Sequence, residues 1–231
     1  MKDADPLSLF TLADYLALAF LVTAYLGTSF VIDRENATRK SVATQMAFYR
    51  RRWMEVFAGR DARIFDAAIL SSLRQGTSFF ASACMIAIGG GAATLANPER
   101  LAGVARELSL DQAPATVWEL KLIVALALVS NAFLKFVWSH RLFGYCAILM
   151  ASVPEIGDAA EDVRRAEAAR AAQINISAAR SFNRGLRSVY FALASLAWLA
   201  GPLGLAIGTV VTTGVLWRRE FASNSRAAIL R

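Results

Sequence analysis

Asn131 and Lys135 stand one helical turn apart in the apolar run 117–138, and Lys121 lies within ~80° of them at 100° per residue. Polar groups sharing one face of a membrane helix can line a water-filled path, and this path would suit a small solute, anions included. The plainer reading is preferred: Asn131 bonds a neighbouring helix while Lys121 and Lys135 snorkel toward opposite interfaces. Just beyond, Trp138, His140 and Arg141 interrupt a second apolar block. They mark where a helix meets the charged side of a membrane rather than an active site.

Covalent chemistry finds little to work with. The chain has one His, which excludes a multi-His metal site. It contains no H-E-x-x-H, P-loop or CxxC, and no paired carboxylates at the centre of an apolar run. Cys84 and Cys146 sit in apolar surroundings and read as small buried hydrophobes. No catalytic residue, metal ligand or cofactor is expected, and the protein is read as a non-enzyme.

The elements that position these residues follow from hydropathy. The 231 residues are 56% hydrophobic and 19% charged, with mean hydropathy +0.43, too apolar for an ordinary soluble domain. Crossing a hydrocarbon core of ~30 Å takes ~20 mostly apolar helical residues. Four such runs occur, at 13–32, 77–96, 117–138 and 188–217. The first lacks a basic leader and a cleavage site, so it reads as a retained helix. Gly201-Pro202 should kink or break the fourth; a kinked full span is preferred over a segment that folds back. Small residues at helix-packing spacing, Ala83, Ala87 and Gly91 with Gly204 and Gly208, suit close backbone approach in lipid.

Charge sets the expected orientation. Segments 33–76 and 139–187 carry nine and seven basic residues against five acids each, whereas 97–116 has two Arg and three acids. The two long segments are therefore expected in the cytoplasm. With four spans both termini would lie outside. That conflicts with the tail from Trp217, Arg218 onward, which holds four Arg and one Glu. The net charge of +7 does not point to nucleic acid, since the arginines abut apolar runs instead of forming a basic domain.

Both long segments read as helical. Val42, Met46, Tyr49, Trp53 and Val56 form an amphipathic stripe, with Arg50, Arg51 and Arg52 between its aromatics as interface anchors. From Asp61 the pattern runs into the second span as one long helix, with Gly59 as the hinge before it. The segment around 155–187 is Ala-rich, acids first and arginines last, which suits the helix dipole. Sequons at Asn36 and Asn175 fall on the cytoplasmic side and are discounted. Asp66, Arg74, Asn183, Arg184 and Arg187 are read as anchors of a cytoplasmic bundle, with a small anion site as the alternative.

Several stretches together resemble a family: "ADYLALA", "YRRRWME", "DARIFDAAILSSLRQGTSFFAS", "LKFVWSHRLFGYCAILMASVP" and "FNRGLRSVYFALASLAWLAGPLG". In order and spacing, across about residues 9–217, they resemble the "domain of unknown function 599" membrane proteins. The resemblance implies a multi-span membrane architecture and transfers no activity or site residue. With the Ala/Arg-rich composition, it also implies the inner membrane of a bacterium. The expectation is thus a single all-α membrane domain over 1–231, with helices extended into a cytoplasmic bundle. Its function is a structural or assembly role beside a second copy or another membrane protein in the lipid bilayer; the alternative is a homo-oligomeric channel or transporter.

Overall fold

A computed structural model describes residues 9–34, 38–97, 103 and 114–230. Every regular element among them is helical: α1 (Leu12–Asp33), α2 (Val42–Phe57), α3 (Ile64–Leu95), α4 (Ala115–Ala151), α5 (Glu161–Leu196), a short 3₁₀ turn (Ala197–Ala200), α6 (Pro202–Phe221) and α7 (Asn224–Leu230). The sequon at Asn36 and most of the short loop 97–116 fall outside the described residues.

Local chemistry sets the helix ends. Thr11 and Asp14 form a reciprocal cap at the start of α1. The Asp14 amide donates to Thr11 Oγ1 at 3.3 Å, and Thr11 N donates to Asp14 Oδ2 at 3.1 Å. Ser41 caps α2 by accepting from Thr44 N at 3.1 Å, while its own hydroxyl donates to the Ile32 carbonyl at 2.8 Å. Glu161 and Asp162 occupy the first turn of α5, where the helix dipole favours acids.

Three helices are long and apolar enough to cross a membrane: α1, α3 and α4. The expected continuation of the flanking helical segments into the apolar runs is present. α3 is a single helix of 32 residues, and α4 of 37 residues passes Gly144 unbroken.

The fourth expected span, 188–217, is not one rod. α5 ends at Leu196, the chain tightens into the 3₁₀ turn, and Gly201 takes φ +92°, a conformation open mainly to glycine. Pro202, with no N–H to offer a preceding turn, opens α6 at the position proline prefers. α6 then returns along the end of α5. A Cβ on Gly208 would lie 3.0 Å from the Ala194 carbonyl oxygen, and one on Gly204 would collide with the Ala197 carbonyl. The fold-back set aside in favour of a kinked span is the observed arrangement, and the glycine spacing packs two limbs of one hairpin.

The chain divides into two compact units. The first comprises the chain up to Val31, Ala83–Ala132 and Leu186–Arg219. Its core is Ala17, Leu21, Phe191, Ala194, Trp198, Leu205 and Leu216. Gly91 permits contact with Leu126 that a Cβ would obstruct. The second comprises Ile32–Ser82, Phe133–Gly185 and the chain from Glu220. Its core gathers Met54, Phe57, Leu70, Phe143, Cys146 and Met150 against the alanines Ala168, Ala171, Ala172 and Ala178 of α5. Phe80, Phe136 and Phe182 add an aromatic trio with centroids 5.4–5.6 Å apart. Gly185 makes room for it, because a Cβ there would stand 2.7 Å from Phe136.

Candidate functional site

The polar residues of α4 fall into three separate environments. Asn131, in the first unit, is a clamp: its Nδ2 donates to Tyr25 Oη at 2.9 Å and to Ser188 Oγ at 3.0 Å. The Ser188 hydroxyl donates in turn to the Leu128 carbonyl at 2.7 Å. One amide thus ties α4 to α1 and α5, the glue role that polar side chains take between membrane helices.

Lys121 does not snorkel outward. It is 4% exposed, with its ammonium 4.6 Å from the Trp118 ring centroid and 5.8 Å from that of Trp198. Both rings are buried, so the cation is held over π faces in a dry setting where such contacts are strongest. Beside it lies Asp14, 8% exposed, on which Lys121 acts electrostatically. Asp14 Oδ1 accepts from Trp198 Nε1 at 2.7 Å, and Oδ2 accepts from Thr11 Oγ1 at 2.6 Å. A buried carboxylate and ammonium each find partners, as burial of charge demands. Next to them is a largely apolar cavity of about 200 Å³ lined by Phe10, Tyr15, Ile123 and Trp198 among others. Asp14 is a buried acid with bonded partners on both carboxylate oxygens.

Lys135 belongs to the second unit. It is half-buried; its backbone carbonyl accepts from Ser181 Oγ at 2.9 Å, and its ammonium has no partner among the described residues. The three residues proposed as one polar stripe are therefore a clamp, a caged cation and a solitary lysine.

The expected interface anchors also divide. Trp138 and Trp217 are each 50% exposed, and Arg51, Arg52, Arg141 and Arg218 are exposed. Arg141 leans on Tyr145, donating to its hydroxyl at 3.0 Å. His140 Nδ1 lies 3.2 Å from Thr77 Oγ1 and 3.4 Å from the Arg74 carbonyl, linking α4 to α3 within the second unit. Arg50 departs from the anchor role. Its guanidinium turns into the bundle and donates to Asn175 Oδ1, while Asn175 Nδ2 donates to Cys146 Sγ at 3.4 Å. Burial pushes the Arg50 pKa down, and the adjacent Cys146 sulfur acts the other way. Asn175 is fully buried, so its amide is committed to this chain of contacts.

Asp66 is a buried acid of the second unit. Its Oδ1 accepts from Trp53 Nε1 at 2.6 Å and from Arg60 at 2.7 Å. Arg184 pairs with Asp33 at 2.7 Å. Both contacts are those of anchors. Among the described residues no cluster of three or more His, Cys, Asp or Glu could hold a metal ion.

Sequence reasoning missed the Asp14–Trp198 and Arg50–Asn175 pairs. Their signal was faint: an acid at a capping position, and an Asn and an Arg facing inward on otherwise apolar or small-residue faces.

The arrangement defines an all-α protein built on helices of membrane-spanning length, whose interior polar groups connect helices. More particularly, the profile of a family described as "Protein of unknown function, DUF599" matches residues 16–225, and the chain belongs to that family. No curated protein and no solved structure matches it.

Proposed function

We propose that the protein is a structural or assembly component of a membrane, packing against a second copy or another membrane protein rather than turning over a substrate. The observation that carries this reading is the open face of α3. Within its apolar stretch only 6% of residues are buried, although the helix is 32 residues long. Ala83, Ala87 and Gly90 are exposed there, and a Cβ on Gly90 would meet nothing. Small residues left unused inside the chain are what a partner helix needs for close approach in lipid. The clamp at Asn131 supports the same reading, since its amide hydrogens are spent on Tyr25 and Ser188.

The charge pattern gives an orientation. α1, α3 and α4 are the helices long and apolar enough to cross a membrane, and three crossings with a folded-back α5–α6 hairpin leave the termini on opposite sides. The arginine-rich tail then shares the cytoplasmic side with Arg50, Arg51 and Arg52, which removes the conflict that four spans create. The Ala/Arg-rich composition favours the cytoplasmic membrane of a bacterium.

A second reading, a channel or transporter, rests on Lys135, whose half-buried ammonium has no partner among the described residues. Liposomes carrying the protein separate the two. The assembly reading expects no flux across a broad ion panel; flux abolished by Lys135→Ala would overturn it.

A further inference from the structure

Between α3 and α4, within the second unit, lies an open groove of about 290 Å³ that the assembly reading does not use. Its floor is hydrocarbon: Phe57, Leu70 and Met150, each 5% exposed or less, with Ala67, Ala147 and Ala151 beside them. Arg63, just before α3, and Arg74 bound the α3 stretch that lines it. Positions 67, 70 and 74 follow i, i+3, i+7 and so share one face of the helix. No acid lines the groove.

The two arginines differ in what they have left to give. The Arg63 guanidinium lies 4.8 Å from the Phe57 ring centroid and donates to the Val153 and Pro154 carbonyls at 2.5 and 2.7 Å. It shapes the groove. Arg74 is exposed, and only its backbone carbonyl is engaged, by Thr77 Oγ1 at 2.7 Å and His140. Its guanidinium makes no hydrogen bond or ion pair among the described residues. In sequence it precedes by three residues Thr77, where the apolar run 77–96 begins.

We propose that this groove holds an anionic phospholipid, with an acyl chain on the Leu70–Met150 floor and the phosphate on Arg74. Three features select that occupant. The apolar floor has no use for a free anion, and the two arginines with no lining acid disfavour a zwitterionic or cationic amphiphile. Both walls are helices that continue into apolar runs, and basic pockets between such helices on the cytoplasmic side are where anionic headgroups settle. The unengaged guanidinium fork matches two phosphate oxygens.

The test uses the full-length protein in detergent with equal amounts of phosphatidylglycerol and phosphatidylcholine, reading retained lipid by native mass spectrometry. Wild type should retain phosphatidylglycerol preferentially. Arg74→Ala should weaken that retention about fivefold, the effect of one arginine at an anionic headgroup. Arg51→Ala, an exposed arginine outside the groove lining, should leave it unchanged. Ala147→Trp, which fills the floor without altering charge, should weaken long-chain lipid as well. Should that variant fail to fold, short-chain against long-chain phosphatidylglycerol on wild type decides the same point, long chain being retained more strongly. Equal retention of both headgroups, equal loss in the Arg74 and Arg51 variants, or full competition by inorganic phosphate would each overturn the assignment.

Discussion

Trp198 Nε1 donates to Asp14 Oδ1 at 2.7 Å across 184 positions of sequence, joining the first turn of α1 to the 3₁₀ turn before the α5–α6 reversal. The bond lies within the first unit, with the Lys121 ammonium over the same indole. One buried acid thereby fixes both the start of the first membrane helix and the corner of the last hairpin.

Trp198→Phe keeps an aromatic ring, trims the pyrrole half of the indole and deletes the donor. The charged acceptor then loses one partner in a buried site, which should cost about 1.5–3 kcal/mol. Thermal unfolding in detergent should show a clear fall in melting temperature. An unchanged melting curve would mean that the pair does not hold the corner.

Asn131→Leu removes the bonds to Tyr25 and Ser188. Interhelical hydrogen bonds in membranes average ~0.6 kcal/mol and reach 1–2 kcal/mol in model peptides, so stability should drop modestly. Denaturation in a detergent series measures this. Solute permeability of reconstituted liposomes should not move; a change in permeability would restore Asn131 to the wall of a path.

The glycines of α6 are not equivalent. Gly204→Val drives a branched side chain at the Ala197 carbonyl, a backbone atom that cannot turn away, and should cost at least the 1–3 kcal/mol typical of overpacking. Gly214→Ala adds a methyl where nothing lies within 4 Å and should be neutral or stabilising by up to about 1 kcal/mol. Paired melting curves test the contrast, and equal losses at both sites would argue against the hairpin.

How much of this could be read beforehand depended on the range of the interaction. The merging of "DARIFDAAILSSLRQ" into the second apolar run was visible because no helix breaker interrupts it, and α3 is that helix. The break at Gly201-Pro202 was visible as a break, with reversal only the less favoured of two outcomes. Proline and glycine state that a helix stops, whereas its return depends on whether Gly204 and Gly208 meet Ala197 and Ala194. Lys121 was misjudged because snorkelling assumes water within reach of the amine; two tryptophans 80 positions apart in sequence close over it instead. Arg50 looked like its neighbours Arg51 and Arg52, yet α2 turns it toward Asn175, and a run of three arginines carries no mark of which one faces inward.

The proposed orientation rests on three crossing helices, α1, α3 and α4, in place of four. A reporter that is active only in the cytoplasm should work when fused after residue 231 and fail when fused at the N-terminus. Activity in the opposite pattern, or at both ends, would contradict three crossings with a folded-back α5–α6 hairpin.

The assembly reading is tested most directly by crosslinking in native membranes. Replace Cys84 and Cys146, then introduce Ala87→Cys or Gly90→Cys on the open face of α3, with Leu203→Cys on α6 as a control exposed outside that face. The account predicts a discrete product from the α3 positions, at twice the monomer mass for a second copy or at one reproducible larger mass for a partner, and none from the control. Monomer alone at the α3 positions, or equal products from all three, would contradict it.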